Sequence, residues 1–136
     1  MEPEESLSEA FWAVARELRH RSRDALQPYE VSPSQSRALA TLQRHGRMRP
    51  GELALTLRIA PRSATEVVDD LQAHGLVERR PDPADRRATL VALTGQGAEA
   101  GQAIAAARRA EAARFFGALS PGDRADLGRI LRTLAG

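Results

Sequence analysis

The sequence contains no cysteine and no lysine, and its apolar residues never gather into a long uninterrupted run. Without cysteine there is no disulfide framework, no thiol nucleophile and no thiol-based redox switch. Without an apolar run of about 20 residues there is no candidate transmembrane helix. Residues 1–10 are acidic and lack the basic and apolar regions of a secretory signal. We therefore expect a cytoplasmic protein that does not contact a membrane.

Arginine supplies all 20 basic residues, against 18 acidic ones. Because the formal net charge at pH 7 is only +2, any affinity for nucleic acid must come from the local placement of charge. The planar donor fork of a guanidinium suits phosphate and guanine, although genomic codon bias explains the arginine usage equally well. A chain of 136 residues is long enough for one domain with a core, so we treat 1–136 as a single unit.

Residues 59–97 carry the most informative pattern in the chain. Their first half has apolar residues at the i, i+3, i+4, i+7 spacing of a buried helix face, and Gly75 is typical of a helix end. The period then changes and predicts two strands, 76–80 and 88–93, around a turn rich in proline and aspartate. A helix followed by such a hairpin predicts a winged helix. The four apolar residues of the helix are Ala64, Val67, Val68 and Leu71.

The helices before this stretch complete a helix-turn-helix. Apolar spacing predicts an amphipathic helix over 6–26, and the capping pattern at 32–35 predicts the start of the next. A short helix opens at Pro50, and about three residues separate it from the helix that begins at Pro61. Two helices so joined form a helix-turn-helix with the second in the reading position.

The helices at the two ends of the chain carry apolar stripes that the middle of the chain does not cover. Thr94 caps a predicted helix over 95–117, and a last helix begins near Ser120. We expect dimerisation through 5–27 and 95–136, with a winged-helix DNA-binding lobe over 30–94; packing of the stripes within one chain is the alternative. The predicted fold class is therefore mainly α with a small β-hairpin wing, a winged helix-turn-helix plus terminal dimerisation helices.

Two groups of residues are candidates for DNA contact. The exposed start of the helix at 61 would meet base edges and phosphates, and the arginines of the hairpin suit a narrow minor groove. A solvated acidic face, to which Asp69 and Asp70 would belong, and an ordinary charged hairpin remain open, and they leave a protein-binding winged-helix module as the alternative function. The candidate DNA-binding residues are Pro61, Arg62, Ser63, Thr65, Glu66, Arg79, Arg80, Asp85, Arg86 and Arg87.

An enzyme is not indicated. His20, His45 and His74 are scattered, no pair of them has metal-ligand spacing, and no local motif suggests a catalytic trio. The glycines at 95, 97 and 101 lack the lysine of a phosphate-binding loop. We therefore expect no catalytic residue, no metal and no cofactor.

The run LVERRPDPADRRATLVALTGQG, preceded by VVDDLQAHG, resembles the signature of the MarR family of bacterial transcriptional regulators, and the order of elements along the whole chain is similar. The resemblance implies an obligate homodimer on a pseudo-palindromic double-stranded operator, acting as a repressor. It implies that Arg87 enters the minor groove with support from Asp85, and that residues 61 to 66 contact bases and phosphates.

The resemblance also implies a small-molecule effector, often an aromatic or phenolic anion, that weakens DNA binding. Its site would lie in the cleft between the dimerisation helices and the DNA-binding lobe, near Trp12, His20 and Leu39; packing of Trp12 on a second subunit is the alternative. The sequence departs from the family pattern where Arg58 replaces a frequent glycine, and where Ala60 replaces a frequent Ser or Thr cap. Glu66 replaces a residue that is often basic or polar.

Overall fold

The computed structural model describes residues 3–136, and their side chains from residue 6 onward. Part of the acidic segment 1–10 therefore lies outside the described residues. The described chain is predominantly helical with one antiparallel hairpin, which confirms the predicted fold class. Its elements are α1 (Pro3–Leu26), a 3-10 turn (Gln27–Tyr29), α2 (Pro33–His45), α3 (Pro50–Leu57), α4 (Pro61–Ala73), β1 (Val77–Pro81), β2 (Thr89–Leu93), α5 (Gly95–Phe116) and α6 (Pro121–Ala135).

Side chains that accept free backbone N–H groups begin three of the helices. Ser32 accepts from the Gln35 N–H at 3.1 Å while the Gln35 side chain accepts from the Ser32 N–H at 3.0 Å, so the predicted capping box is present at α2. Thr94 caps α5 and Ser120 caps α6 in the same way. These three caps confirm the predicted helix starts.

The core lies between α2, α3, α4 and the inner face of the hairpin. All four residues predicted for the inner face of α4 are buried. Ile104 of α5 joins the same cluster, so the helix that follows the hairpin is anchored to it. The most deeply buried large side chains are Leu39, Leu42, Leu53, Leu71, Val68, Val77 and Val91.

The hairpin pairs Val77 with Leu93 and Pro81 with Thr89, one residue later at each strand start than the pattern predicted. It is also joined to the segment before α3, a contact that no local sequence pattern predicts. The Met48 N–H donates to the Val91 carbonyl at 3.0 Å, and the Val91 N–H donates to the Met48 carbonyl at 2.7 Å. This bridge ties the hairpin to the helix-turn-helix. We call residues 77–93 the wing.

The glycines near the start of α5 permit a close approach of backbones. A Cβ on Gly97 would lie 1.8 Å from the Leu76 carbonyl oxygen, and one on Gly101 would lie 2.9 Å from the side-chain oxygen of Gln43. By contrast, a Cβ on Gly95 would meet nothing within 4 Å. The glycines at 97 and 101 are therefore packing positions.

The terminal helices leave a large apolar surface open. Leu7, Trp12 and Leu134 are 71%, 55% and 75% exposed, and they line one groove of about 850 Å³ between α1 and α6. The carboxyl-terminal half of α1 packs on α5, where Arg21 lies 3.7 Å from Glu111 and its guanidinium is 5.3 Å from the Phe115 ring centre. No described helix is long and apolar enough to cross a bilayer.

The Gly97→Ala substitution is expected to lower the free energy of unfolding by about 2–3 kcal/mol, because the new methyl group must displace the Leu76 backbone. Gly95→Ala, in the same helix turn but in open space, should leave stability unchanged or raise it by up to about 1 kcal/mol. Urea denaturation of both variants checks this. Equal stabilities for the two variants would show that α5 does not press on Leu76.

Candidate nucleic-acid interface

The first turns of α4 present an exposed polar face. Pro61, Arg62, Ser63, Thr65 and Glu66 are all exposed, on the side opposite the buried apolar face. Ala60 at the helix cap accepts no hydrogen bond with its side chain, so the first N–H groups of α4 are left for another acceptor. Such groups, together with the helix dipole, favour an anion such as a phosphate.

The turn between α3 and α4 fixes the direction of this helix. Arg58 adopts the left-handed conformation (φ 58°, ψ 46°), which costs a residue with a Cβ about 1 kcal/mol. Its N–H donates to the Leu55 carbonyl at 3.2 Å, and Arg37 of α2 donates to the Leu57 carbonyl at 2.7 Å. Arg37 therefore completes the end of α3, a role that the sequence pattern did not reveal.

The wing loop carries two exposed arginines, Arg86 and Arg87. Asp85 contacts Arg87 through the backbone: its Oδ1 accepts from the Arg87 N–H at 3.0 Å. The guanidinium of Arg87 forms no ion pair among the described residues. It is available to a phosphate or to a groove of negative potential.

Asp82, which directly follows β1, is buried although it belongs to the turn rich in proline and aspartate. It is 8% exposed, and its Oδ2 accepts from Arg49 Nη2 at 2.8 Å and Nε at 3.1 Å. The hydrogen bond from the Ala84 N–H and the contact with Arg49 hold the pKa of Asp82 below its ordinary value of 3.8. The carboxylate is therefore ionised at neutral pH.

Arg79 and Arg80, both predicted to contact DNA, are engaged within the chain. Arg79 donates to Asp69 of α4 at 2.6 Å and also contacts Gln72, while Arg80 contacts Glu78. Asp70 accepts from Gln35 at 3.3 Å. The acids that suggested a protein-binding face are thus partly satisfied by their neighbours, and Arg79 is held against α4, the helix in the recognition position of the helix-turn-helix.

The three predicted pocket residues lie in different surroundings within one chain. Trp12 lines the groove between α1 and α6, His20 is exposed 3.5 Å from Asp24, and Leu39 is fully buried in the core. Helix spacing alone did not show that these side chains point in different directions. The described residues also contain no cluster of three potential metal ligands.

A separate cleft lies between α1, α2 and α5. Its volume is about 260 Å³. Its walls carry four arginines and two serine hydroxyls, so its polar groups are mainly cationic. The lining residues are Arg19, Ser22, Arg23, Leu26, Pro33, Ser36, Arg37 and Arg108.

A helix-turn-helix with an exposed second helix, followed by a wing with exposed arginines, is a winged-helix architecture suited to contact with DNA. A sequence profile of the MarR family matches residues 29–88. An HTH-type transcriptional regulator of Mycobacterium leprae is 43% identical over 76% of this chain and 68% of its own length. One from Mycobacterium bovis is 38% identical over 95% and 85%, respectively. The chain belongs to the MarR family.

The similarity to solved structures includes the terminal helices. Rv1404 of Mycobacterium tuberculosis superposes with a TM-score of 0.83 and 29% identity, over 98% of this chain and 92% of that one. A mutant MarR of Escherichia coli in complex with operator DNA gives a TM-score of 0.76 over 96% and 94%. At 23% identity, this second likeness shows the fold alone.

The unpaired Arg87 and the paired Arg79 should contribute differently to the salt dependence of DNA binding. Arg87→Ala should weaken binding and lower the slope of log K against log salt by about 1, because a free cation is removed. Arg79→Ala should leave the slope nearly unchanged, because Asp69 already balances Arg79. Fluorescence anisotropy on one DNA fragment over a salt series measures both slopes. An equal loss of slope would place Arg79 on the DNA.

Proposed function

We propose that this protein is a homodimeric repressor that binds a pseudo-palindromic operator and is released by a small anion. The observation that carries the proposal is the pair of free cationic surfaces on one framework: Arg62 at the start of α4, and Arg86 with Arg87 on the wing. One surface suits the major groove and the other an adjacent minor groove. As a regulator of transcription it would act in the cytoplasm, on the chromosome.

The partner in the dimer is a second copy of this chain. The groove between α1 and α6 exposes more large apolar side chains than the rest of the described surface, and burying such a patch is favourable by about 25 cal/mol per Å². A second copy brings the same patch with it, so a two-fold interface covers both at once. Two recognition helices would then meet half-sites about 10 base pairs apart.

The effector site is the cleft between α1, α2 and α5. Its arginines would hold the charged group of a small aromatic or phenolic anion, and the aliphatic stems of those arginines with Leu26 and Pro33 would cover an apolar ring. The cleft joins a terminal helix to α2, and α2 contacts the end of α3 through Arg37. An anion bound there therefore acts on the framework that carries the recognition helix.

Leu131→Glu is expected to convert the dimer to a monomer and to weaken operator binding at least tenfold, because a buried charge cannot be paired at the interface. Ala125→Glu adds the same charge at an exposed position of α6 outside the groove and should leave both properties unchanged. Sedimentation velocity and footprinting of the DNA upstream of its own gene provide the readouts. A monomeric wild type, or a single protected half-site, would contradict the proposal.

An aromatic carboxylate should lower DNA affinity by binding in the cleft. We use 2-hydroxybenzoate as the probe and its uncharged amide as the matched control, since only the acid can pair with an arginine. The acid should release DNA from the wild type but not from Arg23→Gln, and the amide should release it from neither. Calorimetry measures binding of the probe, and fluorescence anisotropy measures release of the DNA. If the amide also releases DNA, or if the acid releases DNA equally from Arg23→Gln, the cleft arginines take no part in effector binding.

A further inference from the structure

The ion pair between Arg49 and Asp82 connects two parts of the molecule that are far apart in sequence. Both carboxylate oxygens of Asp82 are used: Oδ1 accepts from the Ala84 N–H at 2.9 Å, and Oδ2 accepts from the two Arg49 donors. Asp82 is 8% exposed although it lies in a surface loop. An aspartate buried in such a loop is expected only where its charge is fully paired.

Asp82 takes part in the hydrogen bonds that close the loop carrying Arg86 and Arg87. The Asp82 N–H donates to the Ala88 carbonyl at 3.0 Å, the Asp85 N–H donates to the Asp82 carbonyl at 3.2 Å, and the Ala88 N–H donates to the Asp85 carbonyl at 2.9 Å. Asp85 in turn accepts from the Arg87 N–H. The backbone that presents Arg87 is therefore fixed in the free protein.

Arg49 fixes the other end of the ion pair to the helix-turn-helix. It occupies the cap position of α3, where its N–H donates to Glu52 at 3.2 Å. The residue before it, Met48, forms the two-way backbone bridge to Val91. The side chain of Arg49 is 46% exposed and yet directs two donors at one carboxylate oxygen.

We propose that Arg49 and Asp82 are positioning residues for DNA binding, and that Arg49 contacts no phosphate. They hold the wing at a fixed distance from α4, so that Arg87 and the recognition helix reach the DNA together. Without the pair, the position of the wing relative to α4 has to be fixed at the moment of binding, and this ordering reduces the affinity. The inference rests on the proposed binding of DNA by the wing and names the residues that set its position.

Three variants of the full-length protein test this: Asp82→Asn, which keeps an acceptor for the Ala84 N–H, Arg49→Gln, and the two combined. Each single variant should raise the Kd for one operator fragment about tenfold, with the salt slope of the wild type. The double variant should be no weaker than the singles, because both changes break one contact. Arg49→Lys, which keeps the charge, should recover part of the affinity.

Footprinting of the variants shows which part of the DNA contact is lost. Hydroxyl-radical cleavage should show weaker minor-groove protection in Asp82→Asn and Arg49→Gln and unchanged protection at the recognition helix. Circular dichroism and sedimentation check fold and assembly; if Asp82→Asn unfolds, Arg49→Gln removes the same ion pair from its exposed side.

Two outcomes would overturn the inference. A slope that falls by about 1 in Arg49→Gln, as we expect for Arg87→Ala, would make Arg49 a phosphate contact. Wild-type affinity in both single variants would make the ion pair irrelevant to binding. Failure of the wild type to bind any DNA would instead refute the proposed function, so the two failures are distinguishable.

Discussion

The relative placement of α4, the wing and α5 depends on one junction, where both ends of the wing meet the start of α5. The Thr94 hydroxyl donates to the Gly75 carbonyl at 2.7 Å and accepts from the Gly97 N–H at 3.0 Å, and the Thr94 N–H donates to the Leu76 carbonyl at 3.1 Å. One residue thus joins the end of the recognition helix, the base of the wing and the first terminal helix after it. Gly97 makes the approach possible, since any side chain there would strike Leu76. The start of α5 is therefore in direct contact with both the wing and the end of α4.

In this fold some arginines have partners within the chain and others have none. Arg49 and Arg79 are each paired with an acid of the same lobe, and Arg37 is occupied by a backbone carbonyl. Arg62, Arg86 and Arg87 form no ion pair among the described residues, so these three cations of the candidate interface are free to meet a phosphate. A net charge of +2 is therefore compatible with a strongly cationic contact surface.

Local patterns predicted the local structure well. The caps at Ser32, Thr94 and Ser120 and the buried face of α4 follow from spacing and residue type, which act over one or two helix turns. The contacts between distant segments did not follow from them. Nothing in the composition of the turn shows that Asp82 contacts Arg49, and helix periodicity does not show that Trp12 lines an exposed groove while Leu39 is buried in the core.

The fixed backbone of the wing loop has a consequence for the choice of DNA. A flexible loop could follow many groove shapes, whereas a loop closed by its own hydrogen bonds between residues 82 and 88 presents Arg87 from one backbone position. In the proposed complex, most of the adjustment is then made by the double helix. Sequences whose minor groove is already narrow there, or whose steps bend easily, cost less to deform. Discrimination would thus extend to base pairs that no side chain touches.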